Sequence, residues 1–226
     1  MIAGIIFDKD GTLFDFRATW TAPFRAMLDE LASDGQYEAA ADCLGFDRES
    51  GQFRPDSLVI ASTSGEVAWA LANVLGREPI DILETLDRIG SAARQVPVVP
   101  LRSCLAALQS VGPLGLVTND SEAPARTHLE EADVLELFDF VAGFDSGFGA
   151  KPDPGQLLAF ADAVALAPES VVMVGDSRHD LHAARAAGMV PVGVLTGVAG
   201  VAELSDLAEV VLPDIGHLGD WIATRD

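Results

Sequence analysis

The chain opens with an apolar run at residues 3–7 that stops abruptly at Asp8, Lys9, Asp10, Gly11 and Thr12. Short apolar runs of the same kind return only after residue 96, at 114–117, 140–142, 171–174, 190–194 and 210–212. Unbroken apolar runs of this length fit strands that are covered on both faces, as in a parallel sheet. Between them, apolar residues recur at helical spacing near 101–110, 123–132, 154–165, 181–187 and 199–204. Strand and helix in alternation predict an α/β fold with helices on both faces of the sheet and right-handed crossovers.

Residues 16–95 follow another rhythm. Trp20, Phe24, Met27, Leu28 and Leu31 fall on one face of a helix predicted over 20–32, and helices are also predicted over 66–75 and 80–93. Ser64 and Asp81 are the expected caps of the last two. No strand is predicted in this block. The first strand has no neighbour nearby in sequence, so it must join the later sheet, and the helical block becomes an insertion. The expected division is a core domain of residues 1–15 and 98–226 and an inserted helical domain of residues 16–97, with Pro97 and Pro100 marking the return.

Charge narrows the partners. With 14 Lys and Arg against 35 Asp and Glu, the formal net charge is −21. Such a surface repels nucleic-acid phosphates and anionic lipid, so neither partner is expected. Cys43 and Cys104 lack metal-ligand spacing and read as reduced, buried thiols of a cytoplasmic protein. The N-terminus has no basic segment and its apolar run ends at Asp8, so no signal peptide is expected. No run is long enough to span a membrane.

Ligands of parallel α/β sheets bind beyond the carboxyl ends of the strands. Those ends carry Asp8-Lys9-Asp10-Gly11-Thr12, Thr118-Asn119-Asp120, a glycine-rich loop ending in Lys151-Pro152, and Gly175-Asp176-Ser177-Arg178-His179-Asp180. Asp8, Asp10 and Asp176 converging on one edge call for a hard cation such as Mg²⁺. Lys151 adds a positive charge able to hold Asp8 ionised and to bind a phosphoryl oxygen. The Thr118 hydroxyl and the backbone at Asn119, near a helix N-terminus, suit an anion. Together these groups suit phosphoryl transfer with a carboxylate nucleophile. The competing reading of Asp8 and Asp10 is an ordinary turn after a strand, and four matching strand ends weigh against it.

In these motifs the chain resembles the haloacid dehalogenase superfamily, within it the phosphoglycolate phosphatase-like and β-phosphoglucomutase-like group. The resemblance implies a Rossmann-like three-layer parallel core with an inserted all-helical cap. It implies Asp8 as nucleophile and Asp10 as general acid and base, with Thr118, Asn119 and Lys151 binding the phosphoryl group. It also implies Mg²⁺ held by Asp8, Asp10 through its backbone carbonyl, and Asp176, with Asp180 in support. The implied activity is an Mg²⁺-dependent phosphatase of a small phosphorylated metabolite, a phosphoglycolate-like compound or a sugar phosphate, acting as monomer or homodimer. The alternatives are a phosphomutase and a non-catalytic binding protein on the same fold. Asp10 argues against a dehalogenase, and the absence of lysine from 16–95 argues against a phosphonate hydrolase.

Four further positions carry expectations. Strand alternation points Lys9 away from Asp8 and Asp10, toward a sheet-face contact or an ion pair. Arg17 is expected either to bind a carboxylate or other polar group of the substrate or to be a surface arginine at a hinge. His179 and His182 are expected on a helix surface, and no histidine is assigned to catalysis. Residues 193–197 are expected to form a loop or a rim of the site.

Overall fold

The computed structural model describes residues 1–33, 35–54, 57–60 and 62–225. After β1 (Gly4–Phe7) the chain enters α1 (Phe16–Leu31) and α2 (Tyr37–Leu44). A short ribbon follows, β2 (Phe46–Asp47) and β3 (Gln52–Phe53), then α3 (Ser64–Leu75) and α4 (Pro79–Ser91). From α5 (Leu101–Leu108) the alternation is β4 (Leu114–Val117), α6 (Glu122–Glu131), β5 (Phe140–Ala142), α7 (Gly155–Ala163), β6 (Val171–Gly175), α8 (Arg178–Ala187), β7 (Val190–Val194), α9 (Val201–Leu204), β8 (Val210–Leu212) and α10 (Leu218–Ala223).

All six predicted strands form one parallel sheet in the order β5-β4-β1-β6-β7-β8. The chain builds one side of β1 and then crosses to the other. The carboxyl end of β1, between β4 and β6, is therefore the switch point where a crevice opens. Strand alternation divides the apolar residues between two layers. Ile5 and Phe7 pack with Leu105 and Leu129 on one face, while Ile6 packs with Phe160 and Ala184 on the other. The fold is thus a three-layer α/β sheet of Rossmann-like form.

The segment between β1 and α5 has an apolar cluster of its own, with Phe16, Phe24 and Phe53 at its centre and ring centroids 5.2–5.3 Å apart. Its exit and return run side by side: Asp15 N–H donates to Val96 O at 2.8 Å, and Val98 N–H to Leu13 O at 3.1 Å. Three details depart from the sequence pattern. The helix α2 escapes it because two of its buried positions, Ala40 and Ala41, carry little apolar contrast. The ribbon β2–β3 has two residues per strand, too few to show a period. The caps also shift. Thr63, not Ser64, caps α3 in a box with Glu66, and Pro79 at the start of α4 makes Glu78 the cap and leaves Asp81 in the first turn. Cys43 and Cys104 are free thiols but only half-buried. Among the described residues, no helix is long and apolar enough to cross a membrane.

The insertion meets the sheet layer where α4 lies on α6. There the fully buried His128 lies 2.8 Å from Gly90 O through Nε2, while its Nδ1 is buried without a partner. A carbonyl only accepts, so Nε2 carries the proton and the ring is neutral. Burial pushes its pKa down to about 4, with Lys9 adding to the effect. The unfolded chain therefore takes up this proton first as pH falls. The stabilisation is complete above about pH 6.5 and is lost progressively toward pH 4, by about 3 kcal/mol. The unfolding free energy of the wild type minus that of His128→Gln should decline by this order between about pH 7 and pH 4. A difference that stays flat with pH would contradict the neutral, buried imidazole.

Candidate active site

Asp8 continues the sheet by one residue, its N–H donating to Val174 O at 2.9 Å. The chain then turns: Leu13 and Phe14 both donate to Lys9 O, and Gly11 donates to Phe14 O. Gly11 has φ +78°, and a Cβ there would also collide with the Asp176 carboxylate. The Thr196 hydroxyl donates to Gly11 O at 2.6 Å, and Gly197 lies against Asp176. Residues 196 and 197 therefore stand at the rim of the site, whereas 193 and 194 of the expected loop or rim belong to β7.

Two ionic clusters sit at this end of the sheet. In the first, the buried Lys151 Nζ lies 2.6 Å from Asp8 Oδ1, 2.7 Å from Asp180 Oδ1 and 3.1 Å from Val117 O. Its backbone is clamped by the Asn119 side chain, which accepts from Lys151 N and donates to Lys151 O, each at 2.9 Å. Asp180 is also the capping residue partner of Ser177 at the start of α8, its Oδ2 accepting from the Ser177 hydroxyl at 2.7 Å. Its two oxygens thus join the helix start to Lys151. Gly175 is required here because a Cβ would overlap Asp180.

Asp8, Asp176 and Asp180 each offer an oxygen within 4.8 Å of the others. One lysine does not balance three buried carboxylates. Burial raises the Asp8 pKa to about 7, with Lys151 opposing and Asp180 adding, and burial with Asp8 and Asp180 raises Asp176 well above the usual carboxylate range. Burial opposes charge on Lys151, but Asp180 and Asp8 outweigh it and hold the ammonium above its ordinary value. An all-oxygen donor set with surplus negative charge fits a hard divalent cation.

The second cluster surrounds Lys9, which is fully buried. Its ammonium pairs with Asp10 Oδ2 and, at 3.0 Å, with Asp120 Oδ2, and it lies 5.2 Å from the centre of the Trp20 ring. Lys9 therefore makes the expected ion pair but points toward Asp10, not away from it. Strand alternation does not apply, because β1 has ended and the turn rotates the side chain. Trp20 Nε1 donates to the other oxygen of Asp10 at 2.5 Å, and the Ser64 hydroxyl donates to Asp120 Oδ1 at 3.2 Å. Both donors come from the insertion. Burial raises the Asp10 pKa to about 6, against the pull of Lys9.

Asp8, Asp10, Thr118 and Asn119 line one cavity of about 80 Å³ beneath the insertion. The Thr118 Oγ accepts from Asp120 N at 3.1 Å, which orders the turn before α6. Arg17 is exposed on α1 and is not among the residues that line the cavity, so the structure does not bring it to the site. His182 is exposed, whereas His179 is half-buried and borders the pocket shared by Asp8, Lys151 and Asp176.

A family model described as haloacid dehalogenase-like hydrolase matches residues 2–188. The chain belongs to this hydrolase family. Among its relatives, phosphoglycolate phosphatase of Shigella boydii serotype 4 is 33% identical over 95% of this chain and 88% of its own length. That of Escherichia coli strain K12 is 32% identical over the same shares. Similar solved folds include β-phosphoglucomutase from Clostridium difficile (TM-score 0.70, 18% identity, 100% and 97% covered). CbbY from Rhodobacter sphaeroides in complex with phosphate is another (TM-score 0.72, 20% identity, 97% of each chain covered).

In this hydrolase the strand-end motifs converge as the sequence pattern requires. The parts that the pattern does not reveal are the Lys9–Asp120 pair, the Asn119 clamp and the Trp20 and Ser64 donors. Asn119 and Asp120 were marked by their place after a strand and Lys9 by its place between two aspartates, whereas Trp20 and Ser64 carried no signal of a place in the site. Replacing Lys9 by Met leaves Asp10 and Asp120 facing each other without a cation. Lys9→Met should lower the unfolding free energy by about 3–5 kcal/mol in urea titrations. A loss below about 1 kcal/mol would contradict the role given to this pair.

Proposed function

We propose that the chain is an Mg²⁺-dependent phosphatase of a small phosphorylated metabolite, acting through an aspartyl-phosphate on Asp8. The observation that carries this reading is the first ionic cluster: Lys151 within 2.7 Å of both Asp8 and Asp180, with Asp176 beside them. Asp8 and Asp10 both line the same cavity.

The Asp8 carboxylate attacks phosphorus, and the bond from phosphorus to the ester oxygen breaks. Asp10 gives its proton to the departing oxygen. Its pKa of about 6 suits a group that must be protonated at one moment and free to accept at the next. Asp10 then takes a proton from water, the water oxygen attacks phosphorus, and the bond to Asp8 breaks. Lys151, the Thr118 hydroxyl and the Asn119 backbone N–H bind the phosphoryl oxygens. Asp8, Asp176 and the Asp10 backbone carbonyl would hold Mg²⁺, which supplies neutralisation of the negative charge that gathers on the phosphoryl group. Asp180 supports through Lys151.

Residues 16–97 act as a cap domain on a core of residues 1–15 and 98–226, excluding bulk water. Two relatives of about one-third identity named phosphoglycolate phosphatase favour hydrolysis over the phosphomutase reading, and they leave the leaving group open between phosphoglycolate-like and sugar-phosphate compounds. Hydrolysis of p-nitrophenyl phosphate should require Mg²⁺ and stop on chelation. Asp8→Asn should abolish turnover, and Asp10→Asn should slow it by about 10²–10⁴-fold while retaining binding of inorganic phosphate. Full activity in chelator, or in Asp8→Asn, would sink the proposal.

A further inference from the structure

The part of the cavity away from Asp8 is walled by the insertion, with Trp20, Phe24, Ile60, Val67 and Leu86 among its lining residues. The charged groups in the lining are all acidic: Asp8, Asp10, Asp87 and Asp120. The fourteen Lys and Arg of the chain all lie among the described residues. None of them is in the cavity lining, and two stand next to it. Lys151 lies beneath Asp8 at the phosphoryl end. Lys9 is fully buried, with its ammonium committed to Asp10 and Asp120. Arg88, on the same helix as Leu86, is turned outward onto Glu30.

A leaving group with its own carboxylate would meet no cation in this lining, where the Ser64 and Ser121 hydroxyls already donate to Asp120 and Asp87 and Ser62 offers a neutral hydroxyl, and it would lie beside two further carboxylates. Burying a charge without a counter-ion is costly, and like charges add to that cost. A cationic leaving group is no better served. The position over the Trp20 ring that a ligand cation would take is occupied by Lys9, 5.2 Å from its centre, and Asp120 is paired with the same lysine. Asp87 accepts from the Ser121 hydroxyl at 2.9 Å, and burial raises its pKa, which weakens it as an anionic partner. Apolar walls reward an uncharged, apolar group instead.

We propose that the substrate is a phosphomonoester of an uncharged, largely apolar alcohol, not of a hydroxy acid or an amino alcohol. This rests on the phosphatase reading above and specifies its leaving group. The contact residues that make the choice are Leu86 and its apolar neighbours on the insertion.

The test compares kcat/KM for three esters of similar size in Mg²⁺: propyl phosphate, phosphoglycolate and phosphoethanolamine, with p-nitrophenyl phosphate as the reference. Propyl phosphate should exceed each charged ester by about tenfold or more, as the loss of about 1.4 kcal/mol of transition-state binding requires. Equal or better turnover of either charged ester, with p-nitrophenyl phosphate still hydrolysed, overturns this inference and leaves the phosphatase reading intact. Failure to hydrolyse any of the four by folded protein overturns the phosphatase reading itself. A second arm uses Leu86→Arg against Leu86→Gln. The arginine should raise the ratio of phosphoglycolate to propyl phosphate by about tenfold, and the glutamine should not. An unchanged ratio in folded Leu86→Arg removes Leu86 from the leaving-group wall. If that variant does not fold, the comparison of esters on the wild type decides.

Discussion

The contact on which the site depends is Lys151 lodged between Asp8 and Asp180 at the buried end of the sheet. Three carboxylates within 4.8 Å of one another would repel strongly without it. Its position comes from distant parts of the sequence: the Asn119 side chain grips its backbone, Val117 O accepts from its ammonium, and the α8 cap fixes the Asp180 carboxylate. Glycine at 11 and 175 leaves the space that lets Asp176 and Asp180 come so close. One lysine still leaves the cluster negative. That imbalance costs stability and suits a hard cation.

The second cluster converts the insertion from a neighbour into part of the site. Lys9 reaches from the core to Asp10 and Asp120, and Trp20 and Ser64 reach down from the insertion to the same two carboxylates. The proposed proton-transfer residue is therefore held from both sides. Movement of the insertion would break the Trp20 and Ser64 contacts and change the surroundings of Asp10. The same contacts use up the cations near the cavity, which is why its outer part is apolar and acidic.

Much of the fold was legible because its strands are short, apolar and separated by clear helical periods, and because each motif follows a strand. Parallel topology alone brings Asp8, Thr118 and Asp176, at the ends of β1, β4 and β6, to one edge, whereas Lys151 lies well beyond β5 and reaches Asp8 through a loop that the Asn119 side chain clamps. Side-chain direction beyond the last strand residue was not legible. Alternation misplaces Lys9 because the chain turns immediately after Asp8. Arg17 looked well placed by its nearness in sequence to the first motif, yet the pitch of α1 leaves it in solvent while Trp20, three residues on, enters the site. The cavity wall that the insertion supplies draws on α1, α3 and α4 at once, so no local pattern announces it.

On the proposed function, the carboxylate cluster holds a divalent cation at the expense of the metal-free protein. Unfolding free energies of the wild type and Asp176→Asn, each with and without Mg²⁺, test it without reference to turnover. Without metal, Asp176→Asn should be as stable as the wild type or more so, because a carboxyl whose charged form is disfavoured by burial, Asp8 and Asp180 is gone. In saturating Mg²⁺ the wild type should gain stability and overtake the variant. No gain for the wild type in Mg²⁺, or an equal gain for both proteins, would contradict the account.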